Sequence, residues 1–367
     1  MSSLEIVAHS TVYRNPEPNR VSEYVAFPCI QALPDDTLVC MCRHGSARES
    51  ADGRVRVHRS TDGGRGWQML PALPDPAGDL AGWWLPGGFG VTAGGDVLAW
   101  AIQDGPVRTR IHQYRSSDNG LTWQPPADID HAPFDKVGPG GNMAMLADGT
   151  LISGGECEGG GPGAREAAWV SLVTRSTDGG KTWAPFAPAH LSTRPHYFDL
   201  RLAALPGNRL VAAYWTQDMQ ANEGLNVHLS WCGDAGRTWT PPRDAGFWGQ
   251  VTDILALRSG RVLAVTNHRR PPLGIRAILS DEGGERFDEA AAVELWGLEP
   301  GRTRSAPALA ADRDVSDNAP QAYHHFTFGT PSIAQLGDGT IVVAFYVTEA
   351  NVTYTRCCLL RESRPCN

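Results

Sequence analysis

The chain has 367 residues, of which 41 are Gly, 27 are Pro and 12 are Trp, and its formal net charge of −8 gives a pI near 5.8. This acidic balance, without any Lys/Arg-rich run, argues against a nucleic-acid partner, because phosphate binding is driven by basic clusters. No segment has the apolar length that spans a bilayer, and the N-terminus lacks the basic start and apolar core of a secretory signal, so we expect a cytoplasmic protein without a membrane partner.

Six short apolar runs, each preceded by a tight turn, follow one another along the chain. A turn that leads into a β-rich run predicts a hairpin, and nothing between the runs has the length or period of a substantial helix. Six such hairpins predict six small sheets. The runs with their turns cover residues 35–41, 95–100, 148–152, 207–213, 259–265 and 338–345.

A second repeat, Ser-x-Asp-x-Gly-x-x-Trp, alternates with these runs. Its Asp can accept hydrogen bonds from backbone amides two and three residues on, its Gly supplies a positive φ, and its Trp folds back as an apolar plug. Each copy therefore predicts a turn between the two outer strands of one sheet. The copies are Ser60–Trp67, Ser116–Trp123, Ser176–Trp183 and the drifted Cys232–Trp239, with a weaker fifth at Ser280–Phe287.

The spacing of the repeat indicates the architecture. Successive Asp residues lie 56, 60, 56 and 47 positions apart, which is the length of a four-stranded propeller blade with generous loops. We therefore predict an all-β fold, a six-bladed β-propeller of four-stranded antiparallel blades, as one domain over residues 1–367. The last blade lacks an outer strand after residue 360, and we expect the N-terminal strand, about residues 4–12, to supply it and close the ring.

Eight Cys residues are scattered without the paired spacing of a metal site, and most lie inside apolar strand segments. We interpret most of them as small core residues. Cys40 and Cys42 share one face of a strand and could bind a metal, but no second Cys or His pair lies nearby. We expect no metal and no cofactor.

The repeated Asp phrases resemble the Asp boxes of the sialidase superfamily, whose members are six-bladed propellers. The resemblance covers nearly the whole chain, and Gly138-Pro139-Gly140 is similar to the opening of a central sialidase blade. It implies three Arg that grip a carboxylate, a Tyr nucleophile with a Glu partner, and an Asp acid/base. Here Ala26 replaces the first Arg, Tyr214–Trp215 the second, and residues 329–332 hold no Tyr, so we predict that the protein is not a sialidase.

The same resemblance points to acidic and basic candidates elsewhere. Asp199 aligns with the family Glu, and the loop that should carry the acid/base contains Arg43, Glu49 and Asp52. Arg269 and Arg270 lie where the third Arg is expected. Each has a plainer interpretation: Glu49 and Asp52 as solvated loop carboxylates, Asp199 as an ion-pair partner of Arg194 or Arg201, and the two Arg as caps of exposed carbonyls.

Two His-containing pairs precede inner strands, His196–Tyr197 and His324–His325. His with Tyr suits the neutralisation and proton abstraction that polysaccharide lyases perform, although a His pair in a long loop is more often a surface feature. The long segment 291–330 is expected to fold over the mouth of the ring as part of the pocket wall, and the Gly-rich segment 156–165 to be mobile.

These residues leave several functions open. We predict an exo-acting glycoside hydrolase on a small, non-sialic and anionic or oligomeric carbohydrate, with Asp199 and either Glu49 or Asp52 as its carboxyl pair. The alternatives are a lyase driven by His196 and Tyr197, and a non-catalytic propeller that binds a glycan or a protein. Arg43, Arg269, Arg270, His324 and His325 are the predicted substrate-binding residues. The sequence does not indicate an oligomeric state.

Overall fold

The structure is a computed structural model that describes residues 3–78, 80–158, 169–297 and 326–363. Strands and turns account for almost all of these residues. The helical elements within them amount to one short 3-10 turn, Glu289–Ala291. No helix in the described part of the chain is long and apolar enough to cross a membrane.

The strands fall into six groups in chain order. The N-terminal strand and the first three groups are β1 (Ser3–Tyr13); β2 (Tyr24–Ala32), β3 (Leu38–Gly45), β4 (Arg54–Ser60) and β5 (Gln68–Met69); β6 (Trp83–Val91), β7 (Val97–Asp104), β8 (Thr109–Ser116) and β9 (Ala127–Ile129); and β10 (Gly138–Pro139), β11 (Ala144–Met145), β12 (Leu151–Glu158), β13 (Trp169–Ser176) and β14 (Ala187–Ser192).

The remaining three groups complete the ring. They are β15 (His196–Leu205), β16 (Arg209–Asp218), β17 (Glu223–Gly224), β18 (Asn226–Cys232) and β19 (Arg243–Trp248); β20 (Thr252–Ala256), β21 (Arg261–His268), β22 (Gly274–Glu282) and β23 (Val293–Gly297); and β24 (Phe328–Gln335), β25 (Ile341–Glu349) and β26 (Val352–Ser363).

Each group forms one antiparallel sheet, and the six sheets are the blades of a propeller. Blades 1, 2 and 5 are simple four-stranded meanders. In blade 3 the first strand is split into β10 and β11, which both pair with β12, and in blade 4 the short β17 adds to β16. First strands of neighbouring blades contact one another around the centre of the ring. The predicted all-β, six-bladed fold is therefore confirmed.

The last blade combines the two ends of the chain, in the order β1-β26-β25-β24. β1 runs antiparallel to β26, with Leu4 opposite Glu362 and His9 opposite Cys358. Leu4 is buried between blades 5 and 6, whereas Val12 is buried between blades 6 and 1. The N-terminal strand therefore contributes to two interfaces of the ring.

In the described part of the chain, six large apolar clusters form a ring, one between each pair of neighbouring blades, and a small seventh cluster of Trp215 and Val251 lies at the cavity. Alternate residues of a central strand serve opposite neighbours, because successive strand side chains point to opposite faces. In β3, Val39 packs towards blade 2, whereas Cys40 and Cys42 pack towards blade 6. The seven Cys residues in the described ranges are free and buried, which agrees with their interpretation as core residues; Cys366 lies outside these ranges.

Each Asp box closes the turn between the last two strands of a blade, far from the centre of the ring. In the third box, Asp178 Oδ1 accepts hydrogen bonds from the amides of Lys181 and Thr182, both at 3.0 Å. These amides lie three and four residues on, so the predicted offset of three is confirmed, whereas the predicted offset of two was wrong. Hydrogen bonds from the Thr182 hydroxyl and amide and from Ser176 hold the pKa of Asp178 well below its usual range.

The first strands of the blades share one irregularity. In blades 1, 2, 4 and 6 the pairing register shifts in the middle of the first strand, and in blade 3 the strand is interrupted. Such bulges bend a strand and redirect its side chains. Three non-glycine residues at these bulges have positive φ: Phe27 (57°), Asp199 (51°) and Thr330 (43°). The bulges turn these residues towards the centre of the ring.

Candidate active site

A central cavity of about 570 Å³ opens where the bulged strands meet, and all six blades line it. Its size lies within the usual range for small-molecule sites. The polar and charged lining residues are Arg48, Glu156, His196, Asp199, Arg201, Arg269, Thr330 and Tyr346. The aromatic and large apolar ones include Phe27, Leu85, Trp169, Phe198, Trp215, Met219, Val251 and Phe326.

Two carboxyl groups meet on one side of this cavity. Glu156 lies in β12 of blade 3, and Asp199 lies at the bulge in β15 of blade 4. The amide of Asp199 donates a hydrogen bond to Glu156 Oε2 at 2.6 Å, and Trp169 Nε1 donates to the same oxygen at 3.2 Å. The Asp199 side chain is 20% exposed and its Oδ1 lies 3.5 Å from Arg201 Nη2. Both residues are half-buried at the wall of the cavity, and a pair of this kind can share its protons unequally.

The surroundings of the two carboxyl groups favour a state in which one group is protonated and the other is ionised. Burial, followed by the negative charge of Asp199, raises the pKa of Glu156 to about 8. Burial also raises the pKa of Asp199, but the guanidinium groups of Arg201 and Arg269 oppose that rise. Since two like charges close together in a low-dielectric site do not both ionise readily, Glu156 holds the proton near neutral pH and Asp199 is the ionised partner.

Arg201 and Arg269 bring positive charge to the same region. Arg201 packs against Gly141, where a Cβ atom would lie only 2.6 Å from the Arg201 Cδ. Arg269 is 2% exposed, and burial lowers its pKa to about 10. Its hydrogen bonds to described residues go to neutral oxygens: Gln250 Oε1 at 2.5 Å, the Phe328 carbonyl and, in the favoured orientation of that side-chain amide, the Asn267 oxygen. The cation of Arg269 is thus held by neutral acceptors next to the cavity.

Arg48 reaches the cavity from the opposite side. Its guanidinium donates to the hydroxyl of Tyr346 at 3.2 Å and lies 4.8 Å from the ring centroid of Phe27. The Tyr24 hydroxyl is a second acceptor at 3.4 Å. Because the rings of Tyr24, Phe27 and Tyr346 pack against one another, the position of Arg48 is fixed by an aromatic cluster of blades 1 and 6.

The loop that carries Arg48 is held by two of the predicted site residues. Buried Arg43 donates to the carbonyl of Ala47 at 2.8 Å and to that of Ser50 at 2.7 Å. Asp52 accepts the Ser46 amide at 3.1 Å. Hydrogen bonds from Ser50 and Ser46 lower the pKa of Asp52, which is exposed. Neither Arg43 nor Asp52 is among the lining residues, so both support the loop from outside the cavity.

Glu49 and Arg270 also lie outside the cavity lining. The Glu49 side chain is 36% exposed and its Oε1 lies 3.8 Å from Arg48 Nε. Arg270 donates to the Gly224 carbonyl at 2.9 Å and stacks over Trp248, with 4.6 Å to the ring centroid. The structure therefore does not bring Glu49 or Asp52 together with Asp199.

The residues of the His196–Tyr197 pair point to opposite faces of β15. His196 lines the cavity and stacks near Trp169, with 6.4 Å between ring centroids. Tyr197 packs instead in the core between blades 3 and 4, 5.4 Å from the ring of Tyr214. His196 and Tyr197 lie in the regular part of β15 before its bulge, where adjacent side chains point to opposite faces. His324 and His325, with most of segment 291–330, lie outside the described residues, as does most of segment 156–165.

At other positions the structure differs from what the sialidase resemblance implies. Ala26 and Tyr214 are buried, and Trp215 lines the cavity, where arginines were sought. Three arginines reach the cavity from other places: Arg48, Arg201 and Arg269. Gly329, in the segment without a Tyr, pairs directly with Tyr346 of the next strand. A Tyr is thus present beside that position, although on β25.

The sequence reasoning missed Glu156 as a site residue and assigned it to the start of a Gly-rich insertion. One signal could have found it: Leu151–Glu158 is a strand that begins with apolar residues, and a carboxylate late in a buried strand is costly without a partner. Arg48 and Tyr346 carried no such signal, because charged loop residues and strand tyrosines are common.

Comparisons with known proteins agree with this architecture. A family model described as a BNR repeat-like domain matches residues 37–343. No curated protein gives a significant match. A crystal structure of a protein of unknown function from Dyadobacter fermentans DSM 18053 has a TM-score of 0.73 at 18% identity, covering 98% of this chain and 100% of its own.

Two further structures with printed activities are similar. The Hadza microbial sialidase Hz136 has a TM-score of 0.67 at 15% identity, covering 97% of this chain and 68% of its own. The alpha-L-arabinanase of Penicillium chrysogenum, complexed with arabinobiose, has a TM-score of 0.63 at 15% identity, covering 97% and 98%. At these sequence identities the similarity shows a shared fold and does not assign an activity.

Proposed function

Because the chain belongs to the BNR repeat-like domain family and holds two carboxyl groups in one central cavity, we propose that it is an exo-acting glycoside hydrolase. The substrate is a small anionic sugar other than a sialoside. The observation that supports the proposal is the half-buried pair of Glu156 and Asp199 in the cavity wall. Glycosidases use two carboxyl groups that flank the scissile bond, one of them with a raised pKa.

Glu156 is the general acid of the pair. Its pKa of about 8 leaves it protonated at neutral pH, so it can give its proton to the glycosidic oxygen as the bond to the anomeric carbon breaks. Asp199 is the second carboxyl group, which in glycosidases acts as the nucleophile or as the base that activates water. Glu156 thus replaces Glu49 and Asp52 as the partner of Asp199.

The arginines support an anionic substrate. Among the described residues, buried Arg269 has neutral oxygens as its hydrogen-bond acceptors, and the negative charge of Asp199 acts on it without a hydrogen bond. A substrate carboxylate at this point would add a hydrogen-bonded negative charge, in the bidentate geometry that suits a guanidinium. Arg48 and Arg201 lie in the same cavity and add to its positive potential.

The shape and apolar lining of the cavity support a small sugar taken by its end. Residues from all six blades surround the cavity, so a chain terminus enters it more readily than the middle of a polymer. Trp169, Phe198 and Trp215 form a continuous aromatic wall, with ring centroids 4.4 and 5.4 Å apart. Such rings cover the apolar face of a sugar, while the charged groups bind its polar substituents.

The test is a panel of aryl glycosides and oligosaccharides that includes uronic acids, arabinosides and a sialoside, followed by aglycone release and by the ultraviolet absorbance of unsaturated products. We expect release from an anionic, non-sialic glycoside and a loss of at least 100-fold in kcat on Glu156→Gln or Asp199→Asn. Glu285→Gln is the matched control, since Glu285 lies on the outer rim with 68% of its side chain exposed.

The other outcomes each select a different function. An unsaturated product would show a lyase instead of a hydrolase, and His196 would then be the candidate for proton abstraction. Cleavage of the sialoside would overturn the non-sialic substrate. Binding of a panel member without turnover, unchanged in Glu156→Gln, would favour a glycan-binding propeller and refute the carboxyl pair as catalytic groups.

A further inference from the structure

We propose that Trp169 and the backbone amide of Asp199 determine which oxygen of Glu156 carries the acid proton. Both groups donate to Oε2, so the proton resides on Oε1 and is delivered from that oxygen. Trp169 is then a positioning residue for the general acid. This inference rests on the proposed function only in assigning the acid role to Glu156.

The argument begins with the chemistry of the two donors. An indole N–H and a peptide N–H donate hydrogen bonds and cannot accept them. In a protonated carboxyl group the carbonyl oxygen is the better acceptor, and the hydroxyl oxygen carries the donor hydrogen. Oε2 receives the Asp199 amide at 2.6 Å and Trp169 Nε1 at 3.2 Å, whereas no hydrogen bond from a described residue reaches Oε1. Oε2 therefore takes the carbonyl role.

The backbone of Asp199 is arranged for this contact. Asp199 has a φ of 51°, a conformation that costs free energy for a residue other than glycine, although Asp tolerates it better than most. The bulge between Phe198 and Arg201 produces this conformation. It directs the Asp199 amide to Glu156 while the Asp199 side chain remains in the cavity. One bulge thus supplies both the second carboxyl group and a donor that orients the first.

The Trp169 ring packs against two rings of the neighbouring blade. It begins β13, next to the strand of Glu156, and its ring centroid lies 4.4 Å from that of Phe198. The His196 ring stacks near it with an interplanar angle of 26°. Because these neighbours hold the indole, its N–H points to Oε2 without loss of further side-chain entropy. The donors also favour the ionised form of Glu156 and so oppose the effect of its burial.

The first experiment titrates Glu156 directly, without any substrate. The protein is labelled with ¹³C at the Glu side-chain carboxyl carbon, and Glu156→Gln identifies the resonance. Trp169→Phe keeps an aromatic ring and removes one donor, so the midpoint should move upward by roughly half to one pH unit, the effect of one hydrogen bond on a carboxylate. Trp215→Phe is the matched control, because the Trp215 ring lines the same cavity. We expect no change in the titration midpoint of Glu156 in this variant.

A second measurement covers the case in which Trp169→Phe does not fold. In the wild-type protein the ¹⁵N–¹H resonance of the Trp169 indole should change with the same midpoint as Glu156, and it should be insensitive to pH in Glu156→Gln. An indole resonance that does not follow Glu156, or an unchanged midpoint in Trp169→Phe, would overturn the proposal. Loss of turnover in Glu156→Gln is a separate result that tests the proposed function alone.

Discussion

Replacing Glu156 by Gln should stabilise the folded protein above neutral pH and change its stability little near pH 5. Burial and the charge of Asp199 raise the pKa of Glu156 from 4.5 to about 8. A group whose pKa is raised by folding contributes stability below its unfolded value, and that stability is lost as pH rises through the folded value. One pKa unit corresponds to about 1.4 kcal/mol, so ionised Glu156 costs the folded state on the order of 5 kcal/mol at pH 9.

Glutamine removes this cost because its side chain stays neutral and still offers an oxygen to the two N–H donors. The assay is urea unfolding of the wild type, Glu156→Gln and the control Glu285→Gln at pH 5, 7 and 9. The wild type and the control should lose stability relative to Glu156→Gln, with most of the loss between pH 5 and 8. Unfolding free energies that run parallel in all three proteins across this range would refute the raised pKa of Glu156.

Three further predictions concern the architecture that holds the site. Gly329→Ala should destabilise the protein by about 1–3 kcal/mol in denaturant unfolding, because its Cβ would lie 2.5 Å from Arg269 Nη2 at a φ of 149°. Asp178→Ala should lower the thermal midpoint at pH 7, and the difference from wild type should shrink as pH falls below 4, because the Thr182 hydrogen bonds that depress the pKa of Asp178 stabilise its ionised form more than its protonated form. Deleting residues 1–13 should abolish cooperative thermal unfolding, since β1 contributes to two blade interfaces; a truncated protein that melts like the full chain would contradict this closure.

The fold could be predicted from the sequence because its signals are local. Asp62, Gly64 and Trp67 lie within one turn, and their chemistry requires that turn wherever the phrase occurs: Asp62 Oδ1 accepts the Gly66 amide at 2.9 Å, and Trp67 Nε1 donates to the Gly64 carbonyl at 3.0 Å. Because this local unit recurs at the length of one blade, the sequence predicts a ring of such blades. No long-range information is needed for this step.

The site could not be predicted in the same way, because its residues meet only through the closure of the ring. Glu156 and Asp199 come from different blades, and no spacing rule connects them. Arg43 and Asp52 have the chemistry of substrate-binding and catalytic residues, yet they stabilise a loop. His196 and Tyr197 form a plausible pair in the sequence, but the alternation of a strand separates them.

The bulges that shape the cavity have no sequence signature either. The first strand of each blade is also an edge of its sheet, so alternate backbone groups of that strand have no partner inside their own blade. Neighbouring blades provide these partners. The amide of Ile333 donates to Asp253 Oδ2 of blade 5 at 2.8 Å, and that of Ile30 donates to Ser332 Oγ of blade 6 at 3.0 Å. Asn142 of blade 3 donates to the Ile30 carbonyl at 2.6 Å. Because buried backbone groups must be hydrogen-bonded, these bonds between blades satisfy the inner edges of the sheets. The geometry of the cavity is therefore fixed by contacts between blades, whereas the repeated turns fix only the blades themselves.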